Sequence, residues 1–106
     1  MTSSTALTGK QRRYLRSLAH HLRPVVQIGQ AGINEAQLAQ IDKALETHEL
    51  IKVKLGRETP VTPEEAGAVV TASTRSHLVQ IIGRTLVVYR ARAKDPDIVL
   101  PAPAES

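Results

Sequence analysis

A chain of 106 residues, 42% hydrophobic and 23% charged, has material for one core and no second. It holds no Cys, Trp or Phe and only two Tyr, which excludes a disulfide framework, a thiolate zinc site and a thiol nucleophile. No apolar run approaches the roughly 18 residues of a membrane span, and Met1-Thr2-Ser3-Ser4 opens no signal-peptide core, so a cytoplasmic protein is expected.

The net charge of +4 matters less than its distribution. Residues 1–34 carry Lys10, Arg12, Arg13, Arg16 and Arg23 without an acid, whereas residues 35–74 hold seven acids against four bases. Arg75, Arg84, Arg90, Arg92 and Lys94 then form a second purely basic segment, and Asp95, Asp97 and Glu105 make the end acidic. Two basic segments flanking an acidic middle point to a polyanionic partner.

The first helix begins at Thr8, which makes a capping-box pattern with Gln11, and Pro24 stops it. Leu15, Leu18 and Leu22, with Tyr14 beside them, recur at helical spacing and predict a core-facing stripe. Arg12, Arg16 and His20 recur every four residues on another stripe, with Arg13 adjacent. A charged solvated face is the ordinary meaning of such a stripe. This one is of a single sign, and like charges at that spacing weaken a helix, which favours a binding role. Arg12 and Arg16 are therefore expected to contribute affinity rather than fold.

Val25-Val26-Gln27-Ile28 is a short β-branched strand that runs into Gly29-Gln30-Ala31-Gly32. Asn34 as N-cap, with Gln37 three residues on and Ile33 against Leu38 as a staple, starts a second helix continuing through Ile41 and Leu45. Ile51-Lys52-Val53-Lys54-Leu55 alternates, so the unit is βαβ with parallel strands, and both lysines share one sheet face. After a loop over Gly56–Pro60, Thr62-Pro63-Glu64-Glu65 starts a third helix that reaches about Thr74. His77–Ile82 and Thr85–Arg90 are two strands joined by a Gly83-Arg84 hairpin. The predicted order is α-β-α-β-α-β-β, an α/β sandwich with helices packed on a four-stranded mixed sheet. A domain over 7–94 is flanked by a flexible N-terminus (1–6) and an extended acidic, Pro-rich tail (95–106), where only Ile98, Val99 and Leu100 suit docking.

Little here suggests catalysis. His20 and His21 are adjacent, so on a helix they point about 100° apart and chelate one ion poorly. Glu64-Glu65 is explained by the helix start, and no serine or threonine sits in a nucleophile-elbow context. The GxxG loop at 29–32 carries a mechanism: its glycines allow a tight turn and close backbone approach beside a helix N-terminus, where phosphate binds. It lacks the Gly-Lys-Ser/Thr of a Walker loop and the third glycine of a dinucleotide fingerprint.

Five segments taken together are more specific. Leu7-Thr8-Gly9-Lys10-Gln11, Leu18-Ala19-His20, Pro24 through Ile33, His48 through Lys54 and Gln80 through Arg90 closely resemble the YhbY family. These are bacterial single-domain members of the CRM domain, named for chloroplast RNA splicing and ribosome maturation. The resemblance covers about residues 7–101 and implies a fold like the C-terminal domain of translation initiation factor three. It also implies binding to structured RNA and association with precursors of the large ribosomal subunit. By this resemblance Lys10, Arg12, Arg13 and Arg16 form the basic first helix, and Gly29, Gln30, Ala31 and Gly32 the GxxG loop. The end after Asp95 is longer and more acidic than the family pattern.

The expectation is therefore a monomeric, non-enzymatic RNA-binding protein acting in assembly of the large ribosomal subunit. It needs no cofactor, metal, membrane or small-molecule substrate. Phosphates lie along the first helix and the loop, with Lys52, Lys54, Arg84, Arg90 and Arg92 as further contacts. With only two tyrosines, RNA shape and backbone should count for more than base identity. The alternative is a basic adaptor module that binds an acidic protein.

Overall fold

A computed structural model describes residues 7–101, so the N-terminal segment expected to be flexible lies outside the described residues. Seven elements follow in the predicted order: α1 (Gly9–Ala19), β1 (Pro24–Ile28), α2 (Glu35–His48), β2 (Leu50–Leu55), α3 (Pro63–Thr74), β3 (His77–Ile82) and β4 (Thr85–Tyr89). The strands lie in the order β1-β2-β4-β3. β1 and β2 are parallel across the α2 crossover, and β4 pairs antiparallel with both β2 and β3. The α/β sandwich is thus a mixed sheet with α1 on one face and α2 and α3 on the other.

The helix starts follow their local chemistry. Thr8 Oγ1 accepts the Gln11 N–H at 3.1 Å, and Gln11 Oε1 accepts the Thr8 N–H at 3.1 Å. Thr62 and Glu65 repeat this reciprocal cap, and Asn34 Oδ1 accepts the Gln37 N–H at 2.9 Å. In the hairpin, Gly83 takes a positive φ of 59°, as a Gly-first two-residue turn requires.

Strand alternation then divides the core. Val26, Ile28, Ile51, Val53, Leu55, Leu86 and Val88 face Ile41, Leu45, Ala66 and Val70 of α2 and α3. Leu50, Val79, Val87 and Tyr89 face Leu15 and Ala19 of α1. Each fully buried aliphatic side chain contributes about 1.5–3 kcal/mol. The predicted α1 stripe differs in detail, because the helix ends at Ala19 with His20 as its C-cap. Leu15 and Ala19, four residues apart, make the contact line, while Tyr14, Leu18 and Leu22 remain 38%, 36% and 37% exposed.

The junction between α2 and β2 is made by Glu49, a fully buried acid with a positive φ of 66°. Its carboxylate accepts the backbone N–H groups of Arg92 at 2.8 Å, Asp97 at 2.7 Å and Ile98 at 2.8 Å. The end of the chain, expected as an extended tail, is thereby tied down up to Pro101. Ile98 and Leu100 pack on the α1-side core, and Gln11 Nε2 donates to the Pro101 carbonyl at 3.1 Å. Val99, also expected to suit docking, points outward and is 78% exposed.

Burial alone would push the Glu49 carboxyl up. The three N–H groups, together with the Arg92 charge, outweigh it and hold the group below the ordinary value of 4.5. A lowered folded value stabilises the fold above the ordinary carboxyl pKa, and that stabilisation is lost as pH falls through the lowered value. In urea titrations, Glu49→Gln should cost about 2–3 kcal/mol at neutral pH, because hydrogen bonds to a charge are lost. Its stability should also fall less steeply on acidification than the parent's. A variant as stable as the parent at pH 7 would contradict this role for Glu49.

Candidate nucleic-acid interface

α1 covers only part of its sheet face, and what it leaves open is polar. Gln27, Lys54, Thr85 and Ile82 form one cross-strand row, and Lys52, Val87 and Gln80 form the next. Lys52 and Lys54 therefore share the α1-side face, two residues or about 7 Å apart along β2. Between this surface and α1 lies an open cleft of about 670 Å³, lined by Arg13, Arg16, Ser17, Ala19, His20, His21, Lys52, Gln80 and Ile82. The imidazoles at its rim meet edge to face, with centroids 5.2 Å apart.

The predicted basic residues separate into two groups. Lys10, Arg13, Arg16 and Lys54 are exposed and Lys52 is half-buried, and their side chains enter no hydrogen bond or ion pair among the described residues. Arg16 also lies in the last turn of α1, where a cation suits the helix dipole. The other four arginines are engaged within the fold. Arg12 Nη1 donates to the Leu78 carbonyl at 2.5 Å and to that of Val79 at 3.3 Å, fastening α1 to the edge strand β3. Arg12, expected to contribute affinity, is thus also engaged within the fold, because the helix face it shares with Arg16 turns toward β3 at its position. Arg84 Nη2 donates to the carbonyls of Gly56 at 3.0 Å and Thr59 at 3.4 Å.

Arg90 follows Tyr89 in the strand alternation and so emerges on the α2 side. It pairs there with Asp42 at 2.6 Å and Glu46 at 3.3 Å, and donates to the Thr74 carbonyl at 2.9 Å. Arg92 donates to the carbonyls of Thr47 at 3.0 Å and Asp95 at 2.9 Å. Charge-assisted contacts of this kind contribute more than neutral ones when shielded from water. They engage these guanidinium groups within the fold, several of them at exposed positions.

The entry to the Gly29–Gly32 loop turns two carbonyls inward. Ile28 O accepts from the Thr59 hydroxyl at 2.8 Å and the Gly56 N–H at 2.8 Å. Gly29 O accepts from the Gly32 N–H at 3.0 Å and from Thr59 at 3.1 Å. The carbonyls of Ile28 and Gly29 are thus satisfied, while Gln30 and Ala31 stand exposed at the tip. Gly32 has φ +77°, and a Cβ there would meet Pro60 at 3.4 Å. Gly29 has no positive φ, and a Cβ there would meet nothing within 4 Å. The left-handed backbone explains Gly32, whereas the site of Gly29 is open space that a ligand could approach. The adjoining α2 N-terminus carries Glu35 in its first turn, so an acid already matches that dipole end.

The tyrosines do not form a stacking platform. Tyr89 is buried against His77, with centroids 6.3 Å apart. Burial, then the Arg12 charge, lowers the His77 pKa, while burial, then Glu49, raises that of Tyr89. Among the described residues no cluster of His, Cys, Asp or Glu could hold a metal ion, and no helix is long and apolar enough to cross a membrane.

A half-covered sheet, a basic helix beside it and a GxxG loop at the strand ends define a small α/β module with one cationic face. The CRS1 / YhbY (CRM) domain family matches residues 7–90. The chain is 43% identical over 95 residues to the probable RNA-binding protein YqeI of Bacillus subtilis, covering 90% of this chain and 99% of that one. It is 42% identical over 97 residues to an RNA-binding protein of Haemophilus influenzae, covering 92% and 97%. The solution structure of SAV1595 from Staphylococcus aureus superposes with a TM-score of 0.73 at 47% identity, covering 90% and 99%. The chain belongs to the CRS1/YhbY (CRM) domain family.

The two loop glycines should respond differently to alanine. Gly32→Ala forces a left-handed backbone on a residue with a Cβ and should cost about 1–2 kcal/mol in a denaturant titration. Gly29→Ala should stay within about 0.5 kcal/mol of the parent. A large loss of stability at Gly29 would mean that the turn itself requires the glycine.

Proposed function

We propose that this protein binds structured RNA without catalysis, through Lys10, Arg13, Arg16, Lys52, Lys54 and the Gly29–Gly32 loop, and acts in assembly of the large ribosomal subunit. The observation that carries the RNA reading is the α1-side face: five cations there have no internal partner among the described residues, and α1 and β1 contain no acid. The acids Asp42 and Glu46 lie across the sheet, drawn to Arg90. A surface that leaves cations unmatched on one side raises the local concentration of a polyanion there. RNA is further supported by the names of the Bacillus and Haemophilus relatives, both RNA-binding proteins or probable ones. The ribosomal assignment rests on the resemblance to the YhbY family. Arg12, Arg84, Arg90 and Arg92 are left out of the proposed contacts because their guanidinium groups hold the fold together.

Fluorescence anisotropy on a structured RNA across a salt series tests the phosphate contacts. With five cations each displacing a counterion, log affinity should fall with log salt at a slope of about −3 to −5. Arg13→Glu with Arg16→Glu should weaken binding at least tenfold, about 1.4 kcal/mol, at an unchanged melting temperature. A flat salt response, with tight binding to an acidic protein instead, would favour the basic adaptor. Crosslinking in cells tests the ribosomal part, and attached RNA from outside large-subunit precursors would contradict it.

A further inference from the structure

The cleft beside α1 is more than a charged surface, because its far wall is neutral and specially aimed. β3 pairs with β4 through His77↔Tyr89 and Leu78↔Val88, and then Gln80, not Val79, faces Val87. The extra residue is a β-bulge, a device that re-aims side chains at sheet edges. Its effect is specific here. Leu78 packs with the α2/α3 core and Val79 with the α1 core, so simple alternation would return Gln80 to the α2/α3 side. The bulge instead puts two consecutive residues on the α1 side, Val79 buried under the helix and Gln80 lining the cleft. Arg12 donates to the carbonyls of Leu78 and Val79, the residues on either side of this step, and so holds the bulge in place.

Gln80 thus brings a donor and an acceptor into a cleft whose opposite wall is cationic. Lys52 and Gln80 flank Val87 in one cross-strand row, two strand spacings or about 10 Å apart. Ile82, two residues on, lines the same cleft and is 49% exposed, an apolar surface with no cover. The cleft volume of about 670 Å³ falls within the roughly 300–1,000 Å³ of small-molecule sites. A surface serving only to track duplex phosphates needs neither the concavity nor the carboxamide.

We propose that this cleft receives one unpaired nucleotide extruded from the bound RNA, its phosphate held by Arg16 and Lys52 and its base edge read by Gln80. This rests on the RNA reading above and adds a base-specific subsite to it. The base lies with one face on Ile82, and the guanidinium and imidazole groups of the α1 wall are the available stacking partners. Adenine fits best, since a carboxamide donates to and accepts from adenine in a bidentate pair. Arg12 acts as a positioning residue through the bulge.

The test uses the full chain and two RNA hairpins that differ only in one bulged adenosine, with affinities read by anisotropy at fixed salt. The parent should bind the bulged hairpin at least tenfold more tightly than the fully paired one. Gln80→Leu should bind both equally, with its affinity for the paired hairpin and its salt slope unchanged. Gln80→Glu should shift the preference toward a bulged cytidine, whose amino group a carboxylate accepts. Adenosine monophosphate alone should bind at least a hundredfold more weakly than the bulged hairpin. Binding as tight as the hairpin's would make the free nucleotide the ligand and overturn the proposal. So would a parent that ignores the bulge, or a folded Gln80→Leu that keeps the preference. If the paired hairpin binds steeply with salt and the bulge adds nothing, the subsite alone fails. If neither hairpin binds, the RNA reading fails with it.

Discussion

An eleven-residue helix cannot cover one face of a four-stranded sheet, and the character of this protein follows from that shortfall. α1 is about 16 Å long and 10 Å wide. The strands beneath it span about 14 Å from edge to edge and run for 5–6 residues, or about 17–20 Å. On the other side, α2 and α3 together cover the apolar positions of all four strands. On the α1 side, Leu15 and Ala19 cover Leu50, Val79, Val87 and Tyr89, and the rest must face water. Around the cleft those positions include Gln27, Lys52, Lys54, Gln80, Ile82 and Thr85, a largely polar floor. Sheet alternation thus turns one short helix into an open cationic cleft.

Keeping that floor open depends on where the other charged groups go. The carboxylates of Asp42 and Glu46 sit on α2, where Arg90 meets them, so they do not neutralise the α1 face. Glu49 is buried at the α2–β2 junction and draws the end of the chain along α1 through three backbone N–H groups. The stretch after Lys94 is tied to Glu49 through Asp97 and Ile98 and to Gln11 through Pro101. The arginines divide in the same way. Those with reachable carbonyls or carboxylates are drawn inward, and those without remain available to a polyanion.

Much of the fold was legible in the sequence because it is written in local chemistry. Thr8 with Gln11, Asn34 with Gln37, and Thr62-Pro63 with Glu65 fix three helix starts within one turn each, and the β-branched runs mark the strands. The alternation in β2 also placed Lys52 and Lys54 on one face correctly. What was not legible depends on distant contacts. Arg12 and Arg16 look equivalent at i, i+4, and only the edge of β3 distinguishes them. Arg84, Arg90 and Arg92 each meet partners 25 or more residues away, in loops and helices that local pattern does not bring near. The left-handed φ of Glu49 falls on a residue type that rarely takes it, so the acid that anchors the chain end gave no signal. The bulge at Val79 was hidden because a run of β-branched residues does not reveal which face each one takes.

RNA binding is proposed at the α1-side face rather than at the face covered by α2 and α3. Amide chemical-shift mapping during titration with a structured RNA hairpin reads this most directly, since it reports on every described residue at once. Shifts should group at Arg13, Arg16 and Ser17 on α1, at Lys52 and Lys54 on β2, and at Gly29–Gly32. The exposed α2 and α3 positions around Lys43, Glu46, Glu64 and Ala68 should stay unmoved. Shifts concentrated on α2 and α3, with α1 and the loop silent, would contradict it.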